Sequence, residues 1–359
     1  MNSRERKQIG YWLLTGVFMI VIQVMLGGIT RLTGSGLSIT QWNVIMGSIP
    51  PTNHEQWQQA FDQYKQFPQY QLMNNEITLD GFKNIFWWEF IHRLWARLFI
   101  PVFLIPLAFF LWKKMISMQL LIKLAIAFVL GGLQGLVGWI MVGSGLIDKP
   151  WVSPIDLSAH LILALVLLCY LLWLALMVLN PPGEAAEVAT MKSPLIIIIA
   201  LMAVQFFFGG LMAGTHAALS FPTFPKFGSQ WIPENLFSQS PFIRNFFENV
   251  ATIQFIHRTL GMLIVLVAFI FFTRAKDKPM TNFFRLALSS FPVIAFMQMV
   301  IGVLTIVNSL GSIPIIYGVA HQMNAVLLLI TSIVLLYQIS TARNLSPEKI
   351  LFEQQTISS

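Results

Sequence analysis

Long apolar runs recur along this chain, and they are too long and too poor in charge to be anything but helices that cross a lipid bilayer. Eight can be read, near residues 9–29, 86–112, 120–142, 154–179, 194–213, 251–273, 283–307 and 315–339. A hydrocarbon core of roughly 30 Å takes about 20 apolar helical residues to cross, and backbone in lipid must satisfy its own hydrogen bonds. Only 10% of the 359 residues are charged, against about a quarter in an ordinary globular domain. The expected fold class is all-α integral membrane, with eight transmembrane helices.

Basic residues set the orientation. Thirteen lysines and arginines, from Arg4 and Lys7 through Lys113 and Arg274 to Arg343 and Lys349, fall on one side of the runs. Six fall on the other: Arg31, Lys65, Lys83, Lys149, Lys226 and Arg244. This bias places both termini in the cytoplasm. The net charge of +7 is then a topology signal, and no basic patch interleaved with aromatics points to nucleic acid. The opening MNSRERKQ leads into an apolar run without a small-residue cleavage site. It reads as a retained first helix, and a bacterial inner membrane fits best. Cys169, the single cysteine, is expected to be a small apolar side chain within the fourth run and can form no intrachain disulfide.

The chain repeats itself. Gln23, Gly27 and Gly28 of the first run match Gln205, Gly209 and Gly210 of the fifth. Glu-Phe-Ile-His-Arg at 89–93 matches Gln-Phe-Ile-His-Arg at 254–258. Gln134 and Gly138 match Gln298 and Gly302, and Ala159-His160 matches Ala320-His321. Four helices is an even number, so both halves start from the same side of the membrane. The expected arrangement is two parallel-repeat four-helix bundles related by a pseudo-twofold along the membrane normal. The halves are residues 1–179 and 194–340, with a cytoplasmic linker at 180–193, broken by Pro181, Pro182 and Gly183, and a cytoplasmic tail at 341–359. The external segments 31–85 (with Trp42 and Trp57) and 214–250 are long enough to form lids.

His92, His160, His257 and His321 each lie six residues inside an even-numbered run. That is about 9 Å of helix below the external end, a single layer. A polar imidazole in hydrocarbon is rare and needs a reason. Axial ligation of heme iron supplies one, with His92 paired to His160 and His257 to His321. A zinc or copper site would call for Cys, Asp or a third His nearby. His54 and His216 lie outside the repeat and read as ordinary loop residues.

The halves differ at one chemically telling place. Glu89 precedes His92 by three residues on the same helix face, and its counterpart is Gln254. A carboxylate takes up protons and stabilises cations; an amide does neither well. The first half is therefore expected to do chemistry and the second to hold a passive cofactor. Arg93 and Arg258 follow their histidines and suit heme propionates through a bidentate fork; Arg97 lies one turn deeper than Arg93. Ser153 and Asp156 read as the cap of the fourth helix. Gly27-Gly28, Gly131-Gly132, Gly135, Gly138 and Gly209-Gly210 suit close helix packing, or room for a flat ring.

At these residues the chain resembles the heme A synthase family. The carrying motifs are Gly-Gly-Ile-Thr-Arg-Leu-Thr-Gly-Ser-Gly-Leu-Ser at 27–38, Glu-Phe-Ile-His-Arg at 89–93 and Gly-Leu-Gln-Gly-Leu-Val-Gly-Trp-Ile-Met-Val at 132–142. Leu-Ser-Ala-His at 157–160, Phe-Ile-His-Arg at 255–258 and Ala-His-Gln at 320–322 complete them. The resemblance runs from the first helix to about residue 340. It implies an oxidoreductase that turns the C8 methyl of heme O into a formyl group, giving heme A for cytochrome oxidase. It implies that His92 and His160 flank the substrate heme with Glu89 as the essential acid, while His257 and His321 ligate a heme B that relays electrons. Some members carry a cysteine pair in the first external segment; this chain has none there and resembles the other subgroup. Heme O synthase and oxidase assembly factors are the expected partners, and an oligomer is compatible with the sequence. Two other classes share the histidines: a diheme b-type cytochrome that only transfers electrons, and a heme transporter or chaperone.

Overall fold

The computed structural model describes residues 2–40, 46–146, 150–179 and 186–342. The break expected at Pro181, Pro182 and Gly183, Trp42, and the tail beyond residue 342 lie outside the described residues. Among the described residues the structure is helical, with no β-strand beyond one isolated bridge between Phe227 and Gln230. The helices are α1 Ser3–Leu32, α2 His54–Tyr64, α3 Pro68–Met73, α4 Leu79–Trp112, α5 Met118–Gly145, α6 Pro154–Leu179, α7 Lys192–Gly214, α8 Val250–Ala275, α9 Asn282–Val307 and α10 Ile315–Ser340. Eight of them, α1 and α4 to α10, are long and apolar enough to cross a membrane.

Side chains close the helix starts. Asn2 and Glu5 form a reciprocal capping box on α1, and Thr78, Ser117, Asn249 and Thr281 accept backbone N–H groups at the starts of α4, α5, α8 and α9. Asp156 N–H donates to Ser153 Oγ at 3.4 Å, as the expected cap of α6 requires. The Asp156 carboxylate also accepts from Ser144 on α5 at 3.2 Å.

Two helix starts run ahead of the apolar pattern, α1 at Ser3 and α4 at Leu79, and the second bears on the site. α4 begins at Leu79, ahead of the run that starts near 86. The added turns are stabilised by the short helix α2, whose Phe61 and Tyr64 stack on Phe82 with ring centres 5.1 and 5.3 Å apart. Trp57 adds an edge contact to Phe86, and Glu55 and Asp62 face outward. His92 is therefore much deeper in its helix than His160, His257 and His321 are in theirs. Distance from the helix start is not what aligns the four; their neighbours on adjacent helices do that.

The core lies toward the other end of the bundle. A continuous cluster of buried apolar side chains draws on all eight spans, including Leu13, Phe103, Leu124, Leu168, Leu195, Phe271, Phe291 and Leu335. It takes α6 from Ala164 onward, α8 from Ile264 and α10 from Val326, each beyond the histidine of that helix. The four histidines are only partly buried. Tight apolar packing thus fixes the helices at one end and leaves the histidine level less filled.

Close backbone approach joins the first four spans to the last four. α6 packs along α7, where Gly210 and Gly214 sit against Ser158 and Pro154. A Cβ on Gly210 would lie 2.7 Å from the Ser158 Cα, and one on Gly214 2.6 Å from the Pro154 Cα. This is the small-xxx-small mode of helix pairing in lipid. Across the molecule, Gln322 on α10 donates to the Val24 carbonyl of α1 at 2.8 Å. Arg31, at the end of α1, donates to the Ala213 carbonyl of α7 and lies over the Trp151 ring. His216 packs on the other side of this join, 4.5 Å from Trp151 between ring centres. Burial, with Arg31 beside it, pulls His216 from 6.5 down to about 4. It is a neutral wedge between segments, not the plain loop residue expected from sequence.

Gly210→Ala should lower stability by about 1–3 kcal/mol, because the new methyl meets backbone that cannot turn aside. Gly143→Ala, whose Cβ would meet nothing within 4 Å, should be neutral or stabilising by up to about 1 kcal/mol. Thermal unfolding in detergent measures both; equal melting temperatures would show that the join has slack.

Candidate active site

One device occurs four times. A glutamine on each odd-numbered span donates to the next span at its histidine. Gln23 Nε2 on α1 donates to the His92 carbonyl at 3.2 Å. Gln134 Nε2 on α5 donates to the His160 carbonyl at 3.1 Å, and Gln205 Nε2 on α7 to the His257 carbonyl at 3.0 Å. Gln298 Nε2 on α9 reaches the His321 ring itself, 3.1 Å from Nδ1, while its Oε1 accepts from Asn324. Four residues after each glutamine comes a glycine that clears space for the same ring. A Cβ would lie 3.4 Å from the His92 ring on Gly27 and 2.8 Å from the His160 ring on Gly138. On Gly209 it would lie 3.4 Å from the His257 ring, and on Gly302 2.7 Å from the His321 ring. The unit is a helical hairpin, with Gln-x-x-x-Gly on its first helix and histidine on its second. The spacing is visible in the sequence, but comparing halves matched the first helix with the fifth and hid its likeness to the third.

The histidines of the last four spans meet as a pair. His257 and His321 have ring centres 6.2 Å apart. His92 and His160 lie within electrostatic range of each other. Two imidazole nitrogens held at about 2 Å from one metal put the ring centres about 6 Å apart, so His257 and His321 have the spacing that axial ligation of heme iron needs. The Nδ1 atoms of His160 and His257 are buried without a hydrogen-bond partner. Among the described residues no three His, Cys, Asp or Glu side chains converge to hold a bare metal ion. The residues present fit heme.

Glu89 is 2% exposed, and all its contacts are ones in which the carboxylate accepts. Ser38 Oγ–H donates to Oε2 at 2.7 Å, and so does the Ile39 backbone N–H. Arg93 donates to Oε1 at 2.5 Å and to the Ile39 carbonyl at 2.9 Å. The segment after α1, the end of the Gly-Gly-Ile-Thr-Arg motif, thus folds back as a cradle for one acid. Ser38 and Ile39 were not singled out by sequence reasoning; their motif was legible, its target was not.

The matching place in the second set of spans shows what the acid changes. The offset of 182 that separates Gln23 from Gln205 also separates Ile39 from Phe221. Arg258 donates to the Phe221 carbonyl at 2.7 Å, as Arg93 does to that of Ile39. Gln254, fully buried, donates to the same Phe221 carbonyl at 3.1 Å. The frame is alike, but the amide is a donor bound to a carbonyl where the acid is an acceptor bound to N–H and O–H. Arg258 also lies 4.3 Å over the Phe227 ring. Arg93 is taken up with Glu89, so its reading as a propionate partner has a direct competitor.

The glycines divide by role. Gly28 and Gly210 face neighbouring helices, and Gly27, Gly138 and Gly209 face histidine rings. Gly131, Gly132 and Gly135 on α5 face open space, with nothing within 4 Å of a Cβ. Close helix packing, the simple expectation for them, does not account for these three. His54 stands exposed at the start of α2, away from the site.

The chain is similar to known proteins over nearly its whole length. The model of the COX15-CtaA family, described as cytochrome oxidase assembly protein, matches residues 10–333. A heme A synthase of Nitrosomonas eutropha is 39% identical over 91% of this chain and 92% of its own length. A heme A synthase of Granulibacter bethesdensis is 41% identical over 95% of this chain and 90% of its own. The relative named heme A synthase COX15 in Arabidopsis thaliana is 38% identical, covering 91% of this chain and 74% of that protein. No solved structure matches the chain. Family model and relatives span nearly the whole fold, and the chain belongs to the COX15-CtaA family of cytochrome oxidase assembly proteins, the family of the heme A synthases.

Proposed function

We propose that this protein is a membrane-embedded heme A synthase that oxidises the C8 methyl of heme O to a formyl group. The observation that carries the reading is the exchange of Glu89 for Gln254 in two otherwise matching frames, each beside a histidine pair. The substrate heme O lies between His92 and His160, and His257 and His321 hold heme B. The 6.2 Å spacing of the second pair supports the ligand assignment. When bound, heme B supplies a one-electron relay. Residues 1–179 form the substrate half and 194–340 the cofactor half, each a four-helix bundle, joined by 180–193 and followed by the tail at 341–359. Both termini face the cytoplasm of a bacterial inner membrane, with the heme sites toward the external side. Heme O synthase and oxidase assembly factors stand before and after it in the passage of the porphyrin.

The chain's own groups account for the positioning. The glutamine clamps hold the backbone at His92, His160 and His257 and the ring of His321, and the glycines let the rings sit close to the neighbouring helix. Glu89 is one turn outward of His92 on the same face. Fixed by Ser38, Ile39 and Arg93, its carboxylate is placed to take a proton from the oxidised methyl position or from attacking water. Such a preorganised acceptor also stabilises positive charge developing at the porphyrin edge. Gln254, locked as a donor, can do neither.

Glu89→Gln should keep both hemes and cut heme A formation by roughly a hundredfold or more. Ser38→Ala, which removes one donor to the carboxylate, should cost roughly tenfold. The assay is expression with a heme O source followed by chromatography of extracted hemes; full activity in Glu89→Gln removes the acid from the mechanism. The same assay separates this reading from an electron-transfer cytochrome or a heme carrier, which would yield no heme A. His257→Ala should lose the B-type absorbance of the purified protein, and retention of that band rejects the His257–His321 pairing.

A further inference from the structure

The two sets of spans differ in a second way that the acid does not explain. The backbones of α8 and α9 run close together, whereas those of their counterparts α4 and α5 stand further apart and meet through side chains such as Phe103 and Phe128. Between α4 and α5 lies a cleft of about 340 Å³, lined by Leu104, Leu107, Leu121, Leu124, Ala125 and Phe128. Its volume is within the range of roughly 300–1,000 Å³ usual for small-molecule sites. Every lining side chain is apolar, and Leu104 and Phe128 are exposed at its edge. The hollow of about 250 Å³ in the second set, lined by Phe255, Ile256, Thr259, Leu260 and Leu263, runs along α8 alone and does not part it from α9.

The cleft also points toward the candidate site. Leu121, Phe128, Gly132 and Gly135 are spaced at helical intervals along one face of α5. Past Phe128 that face has no side chains to fill it, since Gly131, Gly132 and Gly135 all front open space. It ends near Gly138, which touches His160. On α4, Leu104 lies about 18 Å of helix beyond His92, so the cleft stands at the far end of the glycine face from the histidine level.

We infer that this cleft receives the isoprenoid chain of the substrate porphyrin and opens sideways to the bilayer. The inference rests on the heme O reading above. Heme O differs from heme B in carrying that long apolar chain, and only the histidine pair assigned to heme O has a parted helix pair beside it. Lipid tails are as apolar as leucine, so the chain gains little by leaving lipid for the cleft. What the cleft would provide is alignment. A chain laid along α5 fixes the rotation of the porphyrin about its iron, and with it which methyl stands at Glu89.

The test uses the intact protein in membranes. Gly132→Leu fills the glycine face. It should raise the KM for heme O at least about tenfold while leaving the B-type absorbance and melting temperature unchanged. A photoreactive benzophenone side chain placed by Phe128→p-benzoylphenylalanine should give a light-dependent covalent adduct with heme O. It should give none with added heme B, and Phe269→p-benzoylphenylalanine, on the exposed side of α8, should give only lipid adducts. Lipid adducts alone at position 128, or an unchanged KM in Gly132→Leu, overturn the proposal. The two readings fail separately. Heme O adducts without heme A formation in the unmodified protein keep the cleft and sink the enzyme; heme A formation without adducts does the reverse.

Discussion

The constraint behind this structure is that hydrocarbon offers no partner for a polar group, so an imidazole placed there must be held by protein or by a ligand. The hairpin device answers half of that demand. A glutamine from the preceding helix bonds the ligand helix at the histidine, and a glycine one turn further lets the ring come close. Two ring nitrogens remain that the protein does not satisfy, Nδ1 of His160 and Nδ1 of His257. Iron ligation would satisfy the other half. The apolar core lies toward the opposite ends of the helices, so the bundle is fixed without filling the histidine level.

On that shared frame, function follows from small departures. One acid replaces one amide, and the segment after α1 reverses its polarity toward that position from a carbonyl acceptor to N–H and O–H donors. One helix pair stands apart where its counterpart is closed. Neither change disturbs the join between the two sets of spans, where Gly210 and Gly214 meet α6 and Gln322 ties α10 to α1. A buried carboxylate so surrounded by donors is a preorganised group rather than a stability device, since replacing such ion pairs by apolar side chains often costs nothing.

Much of this was legible in the sequence because the period of a membrane helix leaves few alternatives. The eight spans, the histidines and the Glu89–Gln254 difference stand in plain residue patterns. The start of α4 was not, because its extra turns are stabilised by α2, a contact between residues far apart in sequence. Ser38 and Ile39 were hidden for a similar reason: a polar loop motif says that something is held, not what. His216 looked like a loop residue because nothing local announces Trp151 or Arg31. The fourfold character of the glutamine device was present in the spacing, but the stronger twofold repeat masked it.

What matters most is that imidazoles from α8 and α10, which face each other between α7 and α9, share one iron. A cryo-electron microscopy map of the purified, pigment-bearing protein tests it most directly. Density for a porphyrin with its iron bonded to His257 and His321, and a second ring site bounded by His92 and His160 with Glu89 at its edge, is the expected result. Iron bound through other side chains, or these histidines turned away toward lipid, would contradict it.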